Sequence, residues 1–128
     1  EEQRLKVVEF AKKQVLAGKP YVWGSEGPNA FDCSGLVYAA FKSVGLGWPI
    51  WDRLNSSLYY TYTKQIPIAD MQPGDLIFYS YKGTQSTIHH MSIYAGNGMM
   101  WEARSTKTGL RYSNIYSVEG MMPYAGRV

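Results

Sequence analysis

This chain of 128 residues has one cysteine, Cys33, and two histidines, His89 and His90. A single cysteine excludes an internal disulfide framework. One cysteine with two adjacent histidines also lacks the ligand spacing of a zinc site, so no metal is called for. No apolar run approaches the roughly 18 residues that a membrane span needs. No run of Lys/Arg supports nucleic-acid binding. The positive excess is small, net +3 with a pI near 9.0, and suits an acidic polymer as a neighbour. No signal-peptide pattern opens the chain, which begins Glu1-Glu2-Gln3-Arg4 and not with Met. It therefore reads as a mature product or as a domain excised from a longer protein.

The hydrophobic content of 45% and charged content of 18% are those of an ordinary globular protein. The length predicts one domain, residues 1–128, that buries a core without staples. Eleven Tyr and four Trp suit a groove that binds something with both apolar and polar faces, or an aromatic-rich β core. Leu5, Val8, Ala11 and Val15 share one helical face, widened by Phe10 and Leu16, and Gly18 and Pro20 stop that helix. Leu36, Val37, Ala40, Phe41 and Val44 predict a second helix from about Cys33 to Val44, with Gly45 suited to its C-terminal cap. Between Gly47 and Ala69 aromatic and polar residues interleave without a period. A short helix near Arg53 to Tyr60 is the expectation there, in a segment that lines one groove wall.

From Met71 the pattern turns to β. Gln72-Pro73-Gly74-Asp75 is a turn leading into the apolar run Leu76–Tyr79. His90–Ala95 and Met99–Arg104 read as a hairpin around Gly96-Asn97-Gly98. Leu110–Ile115 and Met121–Val128 supply further strands. Helices first and an antiparallel meander after them make an α+β fold with about five strands.

Cys33 stands in Phe31-Asp32-Cys33-Ser34-Gly35-Leu36-Val37, between a Gly/Pro-rich loop and the second helix. A sulfur on a first helical turn feels unpaired N–H groups and the positive end of the dipole, which favour the thiolate, the nucleophilic form. The alternative is a cysteine that packs as a small hydrophobe; the polar neighbours Asp32 and Ser34 argue against it. A sulfur nucleophile needs a base, and the base needs an orienting group. On a strand His89 and His90 point to opposite faces. His89 shares its face with Met91, Ile93 and Ala95, the set expected to face the core. His90 shares its face with Ser92 and Tyr94, so His90 is the candidate for an open site. If Asn97-Gly98 forms a two-residue turn, Ile93 lies opposite Glu102 and that carboxylate points away from His90. If Gly96-Asn97-Gly98 is a three-residue loop, Ser92 lies opposite Glu102, and Glu102 reaches His90 across a diagonal of about 7–8 Å. A carboxylate there fixes the tautomer and stabilises the imidazolium; the alternative is a solvent-exposed Glu on an edge strand.

Four blocks in order carry a resemblance: Pro20-Tyr21-Val22-Trp23-Gly24, Phe31–Val37, Met71–Phe78 and His90–Gly98. Together they resemble the NlpC-type family of bacterial cell-wall cysteine peptidases, with its papain-like core of helices packed on an antiparallel sheet. The resemblance spans roughly residues 5 to 128. It implies Cys33 as nucleophile, His90 as general base and Glu102 as third catalytic residue, a position where many members carry His. It implies Tyr21 beside Cys33, its hydroxyl set for substrate or oxyanion, and Asp32 and Ser34 at the free amino end of the substrate. A packed aromatic, a helix N-cap and a first-turn residue without a task are the respective alternatives; Trp23 reads as packing.

The implied reaction is hydrolysis of peptidoglycan stem peptides between D-glutamate and the next diamino acid. It proceeds through an acyl-enzyme, with the Cys33 backbone N–H at the oxyanion. The resemblance implies no cofactor, a monomer, and an extracellular or wall-associated place of action or one in phage or conjugation machinery. Two rivals stand beside it: an amidase of the CHAP type, and a wall-binding module that keeps the fold without the chemistry.

Overall fold

The computed structural model describes residues 2–25, 27–45, 59–61 and 63–128. Helix α1 (Glu2–Leu16) buries Val7 and Ala11, with Val8, Phe10 and Val15 packed at the core's edge. Leu5 and Leu16, expected on the buried face, are exposed. Two consecutive valines let the buried stripe start at Val7, one position from the expected line. The helix ends at a left-handed Gly18, whose N–H closes on Val15.

Helix α2 (Cys33–Ser43) is buried from Cys33 through Val37 and again at Ala40 and Phe41. Its cap residue is Val44, followed by left-handed Gly45 donating to the Lys42 carbonyl, as the sequence pattern requires. The expected helix over Arg53 to Tyr60 lies mostly outside the described residues; Tyr59–Thr61 is helical.

The sheet has six antiparallel strands: β1 (Lys64–Pro67), β2 (Leu76–Ser80), β3 (Ile88–Gly96), β4 (Met99–Ser105), β5 (Gly109–Asn114) and β6 (Tyr124–Arg127), in the order β1-β6-β2-β3-β4-β5. The meander of β2 to β5 is the one read from the sequence. The strand beyond the expected five is β1, four residues that pair with β6 from Lys64 opposite Arg127 to Pro67 opposite Tyr124. A Cβ on Gly126 would overlap the Thr63 hydroxyl, so glycine there lets the chain leading into β1 lie against β6.

One sheet face packs Leu76, Phe78, Met91, Ile93, Trp101 and Ala103 into the same core as the helices. The other is covered too: Ile77, Tyr79, Met100 and Ile115 form a second cluster flanked by Met71, Val118 and Met121. The turn before β2 is tied to the neighbouring strand β6. Asp75 is fully buried, accepts from Gln72 N at 2.8 Å, and takes a two-pronged contact from Arg127 (Nε 2.8 Å, Nη2 2.7 Å). Among the described residues no helix is long and apolar enough to cross a membrane.

Candidate active site

Asp32 sets where α2 begins. Its backbone is extended and its Oδ1 accepts from Gly35 N at 2.7 Å, the bond of a helix N-cap. Its Oδ2 accepts from Gly24 N at 2.8 Å, which pins the Pro20–Ser25 loop to the helix start. The loop also donates Val22 N to the Phe31 carbonyl and receives Asp32 N on the Ser25 carbonyl. Gly35 permits this approach, since a Cβ there would overlap the Ser25 carbonyl oxygen. Cys33 is thus the first residue of a helix whose entry is clamped from two sides.

The His90 ring lies on the β3 face that carries Ser92, as alternation requires. It packs at a tilt against Tyr79, with ring centroids 5.6 Å apart. Its Nε2 donates to Glu102 Oε1 at 2.7 Å, which leaves Nδ1 for other partners, and the ring interacts with the Cys33 side chain. Burial pushes the ring toward its neutral form, but its hydrogen bonds and charge contacts with Cys33 and Glu102 win and raise its pKa to about 9. The imidazole is therefore cationic at neutral pH.

Glu102 has no exposed surface. Its Oε1 holds His90, and its Oε2 accepts from Ser113 Oγ and from Arg104 Nη2, the latter at 2.6 Å. Burial alone would raise the carboxyl; the hydrogen bonds from His90, Ser113 and Arg104 outweigh it and hold the group below its ordinary value.

The hairpin that joins His90 to Glu102 differs from both expected forms. Asn97 and Gly98 have positive φ of 56° and 75°, and Gly96 pairs with Met99, so the turn has two residues. A bulge at Ala95 then shifts the register, and Ile93 pairs with Trp101. Continued down the strands, that register sets Ser92 opposite Glu102, the outcome anticipated from a three-residue loop.

Cys33, His90 and Glu102 are brought together. The open position expected for His90 is corrected: it is 5% exposed, because its face carries the second apolar cluster. His89 stacks on Tyr81 with centroids 3.8 Å apart, and burial, then the His90 charge, lower its pKa. Asp32 is 2% exposed and performs the N-cap role. Ser34 is buried with its hydroxyl 3.5 Å from Asp32 Oδ1. Tyr21 bridges Phe31 through the backbone and is partly buried beside the core. Trp23, read as packing, is 82% exposed instead; the loop clamped by Asp32 holds it on the surface. Ser113 and Arg104 were not singled out from the sequence. The β4–β5 register, which no local pattern reveals, brings Ser113 to Glu102; Arg104 lies two residues along β4 from Glu102, a spacing that strand alternation signals.

The NlpC/P60 family pattern matches residues 18–124. Over 107 residues the chain is 41% identical to "Probable endopeptidase p60" of Listeria grayi, covering 84% of this chain and 19% of that protein. It is 38% identical over 94 residues to "Gamma-D-glutamyl-L-lysine dipeptidyl-peptidase" of Bacillus subtilis, covering 72% of this chain and 29% of that one. The match thus spans less than a third of either relative. Among solved structures, the peptidoglycan hydrolase RipB of Mycobacterium tuberculosis superposes with a TM-score of 0.74 at 32% identity, covering 99% of this chain and 67% of that one. With the family pattern over most of its length and the fold to match, the chain belongs to the NlpC/P60 family.

Proposed function

We propose that this chain is a cysteine endopeptidase domain that hydrolyses peptidoglycan stem peptides at the bond between γ-D-glutamate and the following diamino acid. The observation that carries the reading is His90, bonded to Glu102 through Nε2 and interacting with Cys33. The Cys33 thiolate adds to the carbonyl carbon, forming a C–S bond. The developing oxyanion meets the Cys33 backbone N–H, which no hydrogen bond among the described residues occupies. His90 gives its proton to the leaving nitrogen as the C–N bond breaks. Neutral His90 then takes a proton from water, the hydroxide adds to the acyl carbon, and C–S cleavage releases the acid and restores the ion pair.

The bond assignment takes support from the B. subtilis relative, whose name states that linkage. Tyr21, Asp32 and Ser34 are assigned to the substrate's amino end, Asp32 through a negative charge set just beneath the surface. The domain acts as a monomer on the wall, from outside the cell or from phage or conjugation machinery.

Digestion of purified peptidoglycan of two chemotypes, read by mass spectrometry, tests the reading. A new diamino-acid amine is the expected product; free lactyl groups would mean an amidase instead. Cys33→Ala abolishes hydrolysis and keeps wall binding if the reading holds. Hydrolysis that survives this substitution would refute the mechanism, and a wild-type domain that binds wall without cutting it would be a binding module.

A further inference from the structure

A carboxylate with no exposed surface favours its neutral form unless donors and positive charge surround it. Neutral Glu102 would lose its hold on the imidazolium. Three donors gather on it, and two of them, Arg104 and Ser113, bond to the oxygen that His90 does not use. Arg104 follows Glu102 by two residues on β4, on the same face. It occupies a bulge, since Ala103 pairs with Leu110 and Ser105 with Gly109, which leaves Arg104 without a partner across β5. Bulges re-aim side chains, and this one delivers Nη2 to Glu102 Oε2 at 2.6 Å. The same nitrogen is 3.5 Å from Ser113 Oγ and also donates to Ser117 Oγ. Ser113, opposite Met100 on β5, donates to that same carboxylate oxygen.

Among the described residues, the titratable and charged groups around Glu102 are Tyr79 of β2, His90 of β3, Arg104 of its own strand and Arg111 opposite it on β5, with Tyr116 next to Tyr79. Tyr79 stays neutral: burial, and after it the Glu102 charge, raise its pKa. Its hydroxyl donates to the Ile115 carbonyl at 2.5 Å. Arg104 is therefore the cation bonded to the oxygen that His90 does not use.

We propose that Arg104 and Ser113 are positioning residues: they keep Glu102 ionised and commit its Oε2, so that Oε1 alone faces His90. They act on Cys33 only through His90. The activity arm of this proposal rests on the hydrolase reading; the electrostatic arm does not. Arg104→Gln is expected to lower kcat about tenfold at unchanged KM and to move the acidic limb of the kcat profile up by about one pH unit. Arg104→Lys restores most of both. Ser113→Ala shifts the limb the same way by less. Carbon-13 NMR of the Glu102 carboxyl reads the same shift without substrate: its midpoint rises in Arg104→Gln and returns in Arg104→Lys. A folded Arg104→Gln protein with wild-type kcat, limb and midpoint overturns the proposal. If Arg104→Gln does not fold, the Ser113→Ala midpoint decides: a rise supports the proposal and an unmoved value overturns it. A midpoint that rises while even the wild type cleaves nothing supports the positioning role and sinks the hydrolase reading.

Discussion

Glu102→Gln removes one charge from the centre of the site and almost no volume. His90 is raised from 6.5 to about 9. Burial works against that rise; the contacts with Cys33 and Glu102 produce it. A hydrogen bond from imidazolium to a carboxylate exceeds one to a neutral amide by about 1–1.5 kcal/mol. That is about a tenfold change in the equilibrium, or about one pH unit. The basic limb of kcat/KM on a defined stem peptide, set by loss of the His90 proton, is therefore expected to move down by about one unit. Turnover at neutral pH falls about tenfold, because the imidazolium that protonates the leaving amine is oriented less firmly. Thermal melts carry the same sign. A group raised from 6.5 to about 9 contributes stability that is complete below 6.5 and is lost as pH climbs through 9. The interval corresponds to about 3–4 kcal/mol at about 1.4 kcal/mol per pH unit, and Glu102→Gln should lose about two-fifths of it. Glu102 itself, held below its ordinary 4.5, works at the other end, with stability present above 4.5 and lost as the carboxyl takes up its proton. A folded Glu102→Gln protein with unaltered turnover and an unmoved basic limb would refute this reasoning and leave Glu102 a structural acid.

Gly35→Ala is expected to cut turnover far more than it weakens substrate binding, because the new Cβ drives the Ser25 carbonyl off the helix that begins with Cys33; paired kcat and KM measurements read this, with an overpacking cost of about 1–3 kcal/mol in denaturant melts. Asp32→Ala leaves Gly35 N and Gly24 N without their acceptor and is expected to cost about 2 kcal/mol in the same melts. In Cys33→Ala, where the sulfur that helps raise His90 is gone, the His90 ring should titrate below 9 by NMR, and a ring still titrating at 9 would show that the sulfur contributes nothing to it.

Local spacing carried much of this fold. A loop, an N-cap and an apolar stripe are written within a dozen residues around Cys33, so α2 and its first residue were legible, as were the β2 to β5 meander and the parity of His90. Strand β1 was not. Lys64–Pro67 has no alternation of its own and is a strand because β6 pairs with it. Trp23 was misjudged because an aromatic beside apolar neighbours reads as core, whereas its exposure is set by a clamp that forms only when Asp32 reaches Gly24. Arg104 and Ser113 lie 9 residues apart and meet through pairing and a bulge, neither of which a local pattern encodes.

The hairpin shows why a register argument from turn length alone was incomplete. Asn97-Gly98 is a strong two-residue turn, since both positions take positive φ. Left uninterrupted, that turn sets Ile93 opposite Glu102 and sends the carboxylate to the face away from His90, because one residue of slip reverses every side chain. The extra residue at Ala95 reverses the parity once more. The tight turn closes the hairpin, and the bulge four residues before Asn97's successor strand begins restores the face that His90 needs. Turn and catalytic register are thus specified separately. A slip that took Ala95 into the ladder opposite Met100 would keep the hairpin while setting Ile93 opposite Glu102 and turning that carboxylate out of hydrogen-bond reach of His90; deleting Ala95 outright would remove the bulge and leave Tyr94 opposite Met100 and Ser92 opposite Glu102.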